Sequence, residues 1–211
     1  VIYLFDLILF RIYPERYKGK RFSLAMVTRD TSDKDDRTKF EALLPVYQWG
    51  RRLLRAESEE QICHVVGDAL HEQLGAASLS VMLMDEDRTA LKIVASRGLP
   101  EQVIEQSRIE PGERISGRVF QSQEPLVINR DEHTSEEIGA LLSRIELSAS
   151  ISFPLVSKND SIGVINLSHR DDQKRFSLSD LELVSILAQL AVTAIENLRL
   201  SRKMQENARI R

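Results

Sequence analysis

A single cysteine, Cys63, leaves nothing to pair with inside the chain, so no internal disulfide braces the fold and a reducing compartment suits it. Surplus positive charge is missing too. With 29 Lys and Arg against 32 Asp and Glu, the net charge of −3 offers no general nucleic-acid footprint. The most apolar run near the start, Val1 to Tyr13, falls short of the roughly 20 residues that cross a bilayer. No internal repeat, low-complexity segment or signal peptide is visible, and the chain opens on Val1 rather than Met; it reads as a piece of a longer protein. No nucleophile–base pair, metal cluster or phosphate loop rises above background, which argues for a binding module and against an enzyme.

What is present is soluble-protein chemistry, 42% hydrophobic and 29% charged over 211 residues, enough for one well-buried domain with extensions. Val1 to Tyr13 admits two readings. A basic, Tyr-containing segment follows it, as at the cytoplasmic end of a truncated membrane helix. Alternatively it is a strand paired with Phe22 to Thr28, and Asp6 counts against the membrane version. Residues 28–39 are polar and Asp-rich, a linker by composition. Helical spacing returns from Phe40 to Ala56, weakened by Pro45. Ser58 to Gln61 is a capping box opening a helix with Ile62, Val65, Val66, Ala69, Leu70 and Leu74 on one face, ended by Gly75. Strands over 78–84 and 90–96 flank the turn 85–89.

From Gly98 to Leu147 the elements are short. Pro111-Gly112 suits a type II turn, 116–121 a helix, 126–128 a strand and 135–144 a further helix. Next comes a hairpin, Ala149 to Val156 and Ile162 to Ser168, around Lys158-Asn-Asp-Ser161. Its register stays open: a two- or four-residue loop sets Asn166 opposite Phe153, and a three-residue loop sets it with Ser152. A long helix follows, with Ser179–Glu182 as a capping box and Ser177 before Asp180 as a second candidate cap. Leu181, Val184, Ala188, Ala191, Ile195 and Leu198 form a 3–4-spaced seam suited to a partner helix.

Phe153-Pro-Leu155, Ile162-Gly-Val164, Phe176 to Asp180 and Ala194-Ile-Glu-Asn197 together resemble the close of a GAF domain, a small sensory α+β family. The resemblance covers Arg52 to Leu200. It implies an antiparallel sheet with the long terminal helices on one face and short helices and loops over the other. It also implies a small-molecule sensor that controls an output domain outside the chain. Where the family often has Gly-x-x-Gly this chain has Arg114-Ile-Ser-Gly117, so the backbone there is expected to differ. The cyclic-nucleotide pattern keeps Asn166, Phe176 and Asp180 but has Leu167 and Leu181 in place of Lys and Glu, so that ligand is disfavoured. Bilin attachment is disfavoured because Cys63 sits on the first domain helix, and haem because no axial His in an apolar cage can be read. The alternative function is a degenerate or partner-dependent redox enzyme resembling the reductase branch for free methionine sulfoxide. That branch needs a nucleophilic and a resolving cysteine, and one cysteine cannot complete that cycle.

Candidate ligand groups are Arg97, Ser116, Arg118, Asn129, Asp131, Ser152 and Asn166, all polar and near the variable segment. His64, Asp68 and His71 share a helix face and read as a solvated stripe; His133 and His169 read as surface loop residues. Cys63 reads as a core residue. The organisation expected is an extension and linker over 1–39, a GAF-like sensory domain over 40–200 and the start of a signalling helix over 201–211. A homodimer through the terminal helices and a cytoplasmic location are expected. No nucleic acid is expected as a partner, and membrane contact only through residues before 22.

Overall fold

The computed structural model describes residues 47–129, 147–158, 160–171 and 174–209. The expected helix at 135–144, the segment before 47, His133 and Asp131 lie outside them. A short helix over 47–53 leads into α1, Glu59–Leu74. There follow β1 (Ser78–Met84), β2 (Leu91–Arg97), α2 (Glu101–Gln106), β3 (Arg108–Ile109), α3 (Arg114–Ser122), β4 (Leu126–Asn129), β5 (Ala149–Ser157), β6 (Asp160–His169) and α4 (Leu178–Arg209). The strands form one antiparallel sheet in the order β3-β2-β1-β6-β5-β4. This is the α+β architecture expected from the sequence.

Local chemistry sets the boundaries. Ser58 Oγ accepts from the Gln61 amide at 3.1 Å, and Gln61 Oε1 takes the Glu57 amide at 2.8 Å, so α1 starts on reciprocal caps. It stops at Gly75 in left-handed backbone, whose N–H donates to the His71 carbonyl. At α4 the cap is Ser177, not Ser179. Ser177 Oγ accepts from Asp180 N at 3.2 Å while Asp180 Oδ2 takes the Ser177 amide at 2.7 Å. A carboxylate reaches back across one turn as well as a Glu does, so the earlier Ser–Asp pair wins.

α1 and α4 pack together on one face of the sheet. Ile62, Val66 and Leu70 of α1, Leu187 and Ile195 of α4, and Leu79, Ile151, Ile165 and Leu167 of the sheet are almost fully buried there. Burying side chains of this size contributes roughly 1.5–3 kcal/mol each. Val184, Ala188, Ala191 and Ile195, expected as a seam for a partner helix, belong to this core. The reason is arithmetic of surface: the sheet beneath is broad enough to take the whole inner stripe of α4. By length and composition Leu178–Ala208 would also span a bilayer, but its inner face is spent on the sheet. A smaller core on the other face joins Val119 and Phe120 of α3 to Met82, Leu91, Ile109 and Val164.

The β5–β6 hairpin corrects a sequence argument. Ser157 pairs with Asp160, so two residues form the loop, yet Ser152 stands opposite Asn166 and Phe153 opposite Ile165. A bulge between Leu155 and Val156 and their partners inserts one extra residue and reverses the parity that the loop alone would set. His169 is corrected as well. The strand runs one residue further than Ser168, and His169 is buried, stacked on Phe176 at 4.5 Å, with desolvation holding its pKa below the ordinary histidine value.

Candidate functional site

Alternation along the three central strands puts every second residue on the face away from α1 and α4. On that face the register lines up Ser78, Ser168 and Ser150 in one cross-strand row, and Ser80, Asn166 and Ser152 in the next. The third row is apolar: Met82, Val164 and Pro154. α3 lies over the apolar end, where Val119 and Phe120 are buried. Over the polar rows a cavity of about 470 Å³ remains, within the range of small-ligand sites.

Its floor is hydrogen-bonded. Asn166 Oδ1 accepts from Ser152 Oγ at 2.7 Å and from Ser116 Oγ of α3 at 3.1 Å, and Asn166 Nδ2 donates to Ser80 Oγ at 3.2 Å. Ser78 and Ser168 share a 2.6 Å hydroxyl contact beside them. Walls come from Ile93, Leu99, Val103, Ile109, Ile115 and Leu147, and the exposed Arg114 and Arg170 stand at the edge. Two backbone devices hold the α3 wall. The Glu110–Glu113 turn closes with a 3.0 Å bond and Gly112 at φ 86°, and Gly117 sits so close to it that a Cβ would lie 2.2 Å from the Glu110 carbonyl. Arg114, where a Gly-x-x-Gly would begin with glycine, nevertheless holds φ 49°. Arg114 thus bears the strain a side chain meets in left-handed backbone.

The seven sequence candidates separate. Ser116, Ser152 and Asn166 meet in the cavity. Arg97 stands on the other face, its guanidinium ion-paired to Asp68 of α1 and bonded to the Ser96 carbonyl at 2.7 Å. That pair also removes Asp68 from the supposed solvated stripe. Arg118 is exposed and does not line the cavity. Asn129 is buried and clamps the start of the last helix, accepting from Phe176 N at 3.0 Å and donating to Phe176 O at 3.1 Å. Asp131 lies outside the described residues. Ser78, Ser80, Ser150, Ser168, Arg114 and Arg170 were missed. The signal for four of them was there: Ser78-Leu-Ser80, Ser150-Ile-Ser152 and Asn166-Leu-Ser168 are the same small-polar alternation on three strands.

Cys63 is far from this chemistry in character. It is buried among the apolar residues of α1, and burial first, with Glu59 and Glu60 adding to it, pushes its thiol up to about 12. No group of three or more His, Cys, Asp or Glu among the described residues is placed to hold a metal.

Comparison with known proteins gives a consistent picture. The family profile of the GAF domain matches residues 56–196. The chain is 24% identical over 153 residues to the formate hydrogenlyase transcriptional activator of Escherichia coli, covering 69% of this chain and 22% of that protein. The chain thus spans about a fifth of that relative's length. Among solved structures, the GAF domain of a phosphoenolpyruvate-protein phosphotransferase from Coxiella burnetii superposes with a TM-score of 0.63 at 19% identity. The match covers 78% of this chain and 98% of that one. Free methionine-R-sulfoxide reductase from Neisseria meningitidis gives 0.61 at 19% identity, covering 83% and 98%.

Proposed function

Since the chain belongs to the GAF domain family, we propose that it is a sensory module that binds a small molecule in the cavity over the Ser–Asn rows and regulates an output encoded outside these 211 residues. The observation that carries this reading is the cavity itself. Four hydroxyls and an amide of the sheet face, with the Ser116 hydroxyl of α3 above them, are held under cover where apolar packing would otherwise close the space. Their bonds to one another meet the cost of burying them, and the cavity leaves room for a ligand to add its own. Native mass spectrometry tests it on freshly purified protein, before and after exposure to a metabolite extract. A bound small molecule is expected, and Ser150→Phe, which fills the cavity, is expected to release it. Apo mass alone under both conditions would overturn the reading.

A redox role, suggested by the fold of the reductase, has less behind it. Cys63 is outside the cavity lining, and a thiol pushed up to about 12 supplies almost no thiolate at neutral pH.

We infer further that α4 pairs with a second copy of the chain, through a different stripe from the one the sequence suggested. Leu183, Ile186, Leu190, Thr193, Asn197, Leu200 and Met204 recur at alternating 3 and 4 beside the core stripe. Leu183 and Leu190 pack in part against the core's edge, and Thr193, Asn197, Leu200 and Met204 are exposed. Leu200 and Met204 are 56% and 72% exposed. That is an a/d repeat, and Asn197 falls at an a position, where one polar residue fixes register at some cost in stability. Light scattering on wild type and on Leu190→Glu with Leu200→Glu decides it. A dimer dissociated by the pair supports the seam, and a monomeric wild type at micromolar concentration removes it.

A further inference from the structure

Charge among the described residues that line the cavity is one-sided. Among the described lining residues there is no Asp and no Glu, while Arg114 and Arg170 both reach it. Neither arginine has a carboxylate partner among the described residues, although Arg97, Arg108 and Arg199 of the same domain all do. A guanidinium left in this state is a ready fork for a planar oxyanion. α3 begins at the cavity wall with Arg114, Ile115 and Ser116, and the carboxylate of its N-cap residue Glu113 takes the Glu110 amide at 3.4 Å instead of capping the helix.

The floor asks for something different. Ser80, Ser116, Ser152 and the Asn166 amide carry five donor hydrogens between them, and the three bonds that join them use three. Two donors remain whichever way round the amide sits. They lie on a covered floor, since Ser80, Ser116 and Ser152 are 7%, 9% and 3% exposed and Asn166 is half-buried. Between this floor and the arginines the walls are aliphatic: Ile93, Leu99, Val103, Ile109 and Ile115. We propose that the cavity takes a compact organic carboxylate with an apolar body and a hydroxyl or carbonyl at its far end. The carboxylate meets Arg114 and Arg170, the body lies against the aliphatic walls, and the distal oxygen takes the spare donors of the Ser–Asn floor. This inference rests on the cavity being the ligand site.

The cavity volume leaves space for a single ring or a chain of comparable length. The test is calorimetric titration of the full chain with 4-hydroxycinnamate and 10-hydroxydecanoate, each beside its uncharged amide and the matching amine, and with cyclic AMP as a phosphate of similar charge. At least one carboxylate is expected to bind tenfold or more tightly than its amide, with the amine weaker still. Arg114→Gln with Arg170→Gln is expected to erase the difference between acid and amide while leaving the melting temperature of the free protein unchanged. Asn166→Ala is expected to weaken acid and amide alike. Amides or amines binding as well as the acids, or cyclic AMP binding better than either acid, would overturn the carboxylate and leave the sensory reading standing. Binding of none of these compounds, together with apo mass in the native spectrum, would overturn both.

Discussion

Asp85 shows how much one carboxylate can organise. Its Oδ1 accepts from Thr89 N at 2.7 Å and Ala90 N at 3.1 Å, and its Oδ2 from Thr89 Oγ1 at 2.9 Å, so one side chain closes the β1–β2 turn. The Ala90 amide first, then Thr89, hold its pKa down to about 2 from the ordinary 3.8. A depressed carboxylate contributes stability that is complete above the unfolded value and lost as pH falls through the folded one. Wild type is therefore expected to lose stability between about pH 4 and 2 more steeply than Asp85→Asn. Urea melts at pH 5 and 2.5 check the difference. Cys63 gives a second prediction at this scale. With its thiol pushed up to about 12 inside the α1 core, it is expected to react with a thiol reagent only at the rate at which the domain opens. Prompt labelling of the native protein would contradict the burial. Residues also mark where sequence reading stopped. Arg97 is a polar residue late in a strand, and nothing in its neighbours reveals that Asp68, on a helix, waits on the other face. Ser80, Ser150 and Ser168 alternate with apolar residues as on a solvated strand face, yet in the fold Ser80 and Ser168 are buried and Ser150 is half-buried at the cavity.

Among the elements, α3 sets the cavity roof, and its seat depends on Gly117. A Cβ there would meet the Glu110 carbonyl at 2.2 Å and the Gly112 amide nitrogen at 3.1 Å, both backbone. Gly117→Ala is expected to push α3 off its turn at a cost of about 1–3 kcal/mol, typical of overpacking. The loss of ligand retention should exceed what the fall in melting temperature explains, because Ser116 moves with the helix; retention equal to wild type would show that the roof is not needed. Elements whose ends carry their own chemistry were legible. Ser58 and Gly75 bound α1, and the Asp85 turn bounds its strands, because caps and turns are local. The β5–β6 register was not legible. A single extra residue at the Leu155–Val156 bulge has no residue signature, yet it decides which side chains join Asn166.

At the scale of the whole molecule, α4 belongs to two environments. As far as Ile195 its inner face is core, and a bidentate pair from Arg199 to Glu59, at 2.9 and 2.7 Å, ties it to α1. From Leu200 to Ala208 every residue is exposed. A short exposed helix is marginal in water without a partner. If the outer stripe joins two copies, backbone amides of residues 201–208 are expected to exchange slowly in wild type. They should exchange at coil rates in Leu190→Glu with Leu200→Glu, while α1 keeps its protection. Equal exchange in both proteins would assign the stub's order to something other than a second chain. The inner stripe was legible as apolar and helical; where it ends was not, because Leu183, Ile186 and Leu190 beside it are also apolar, and Leu183 and Leu190 pack in part against the core's edge.

The cross-strand rows have one more consequence. Ile151 sits between Ser150 and Ser152, and Ile165 and Leu167 flank Asn166, so these cavity residues have as chain neighbours residues buried in the core shared with α1 and α4. The sheet is a party wall one peptide thick, with the guest on one side and the long helix on the other. No hinge is needed for news to cross it, since a shove of a few tenths of an ångström on Ser152 is handed to Ile151 through a single bond network. Methyl NMR offers the check: occupying or filling the cavity should shift the Ile151, Ile165 and Leu167 resonances together with methyls of α4 such as Leu187 and Ile195, and silence in the α4 methyls would mean the wall is deaf.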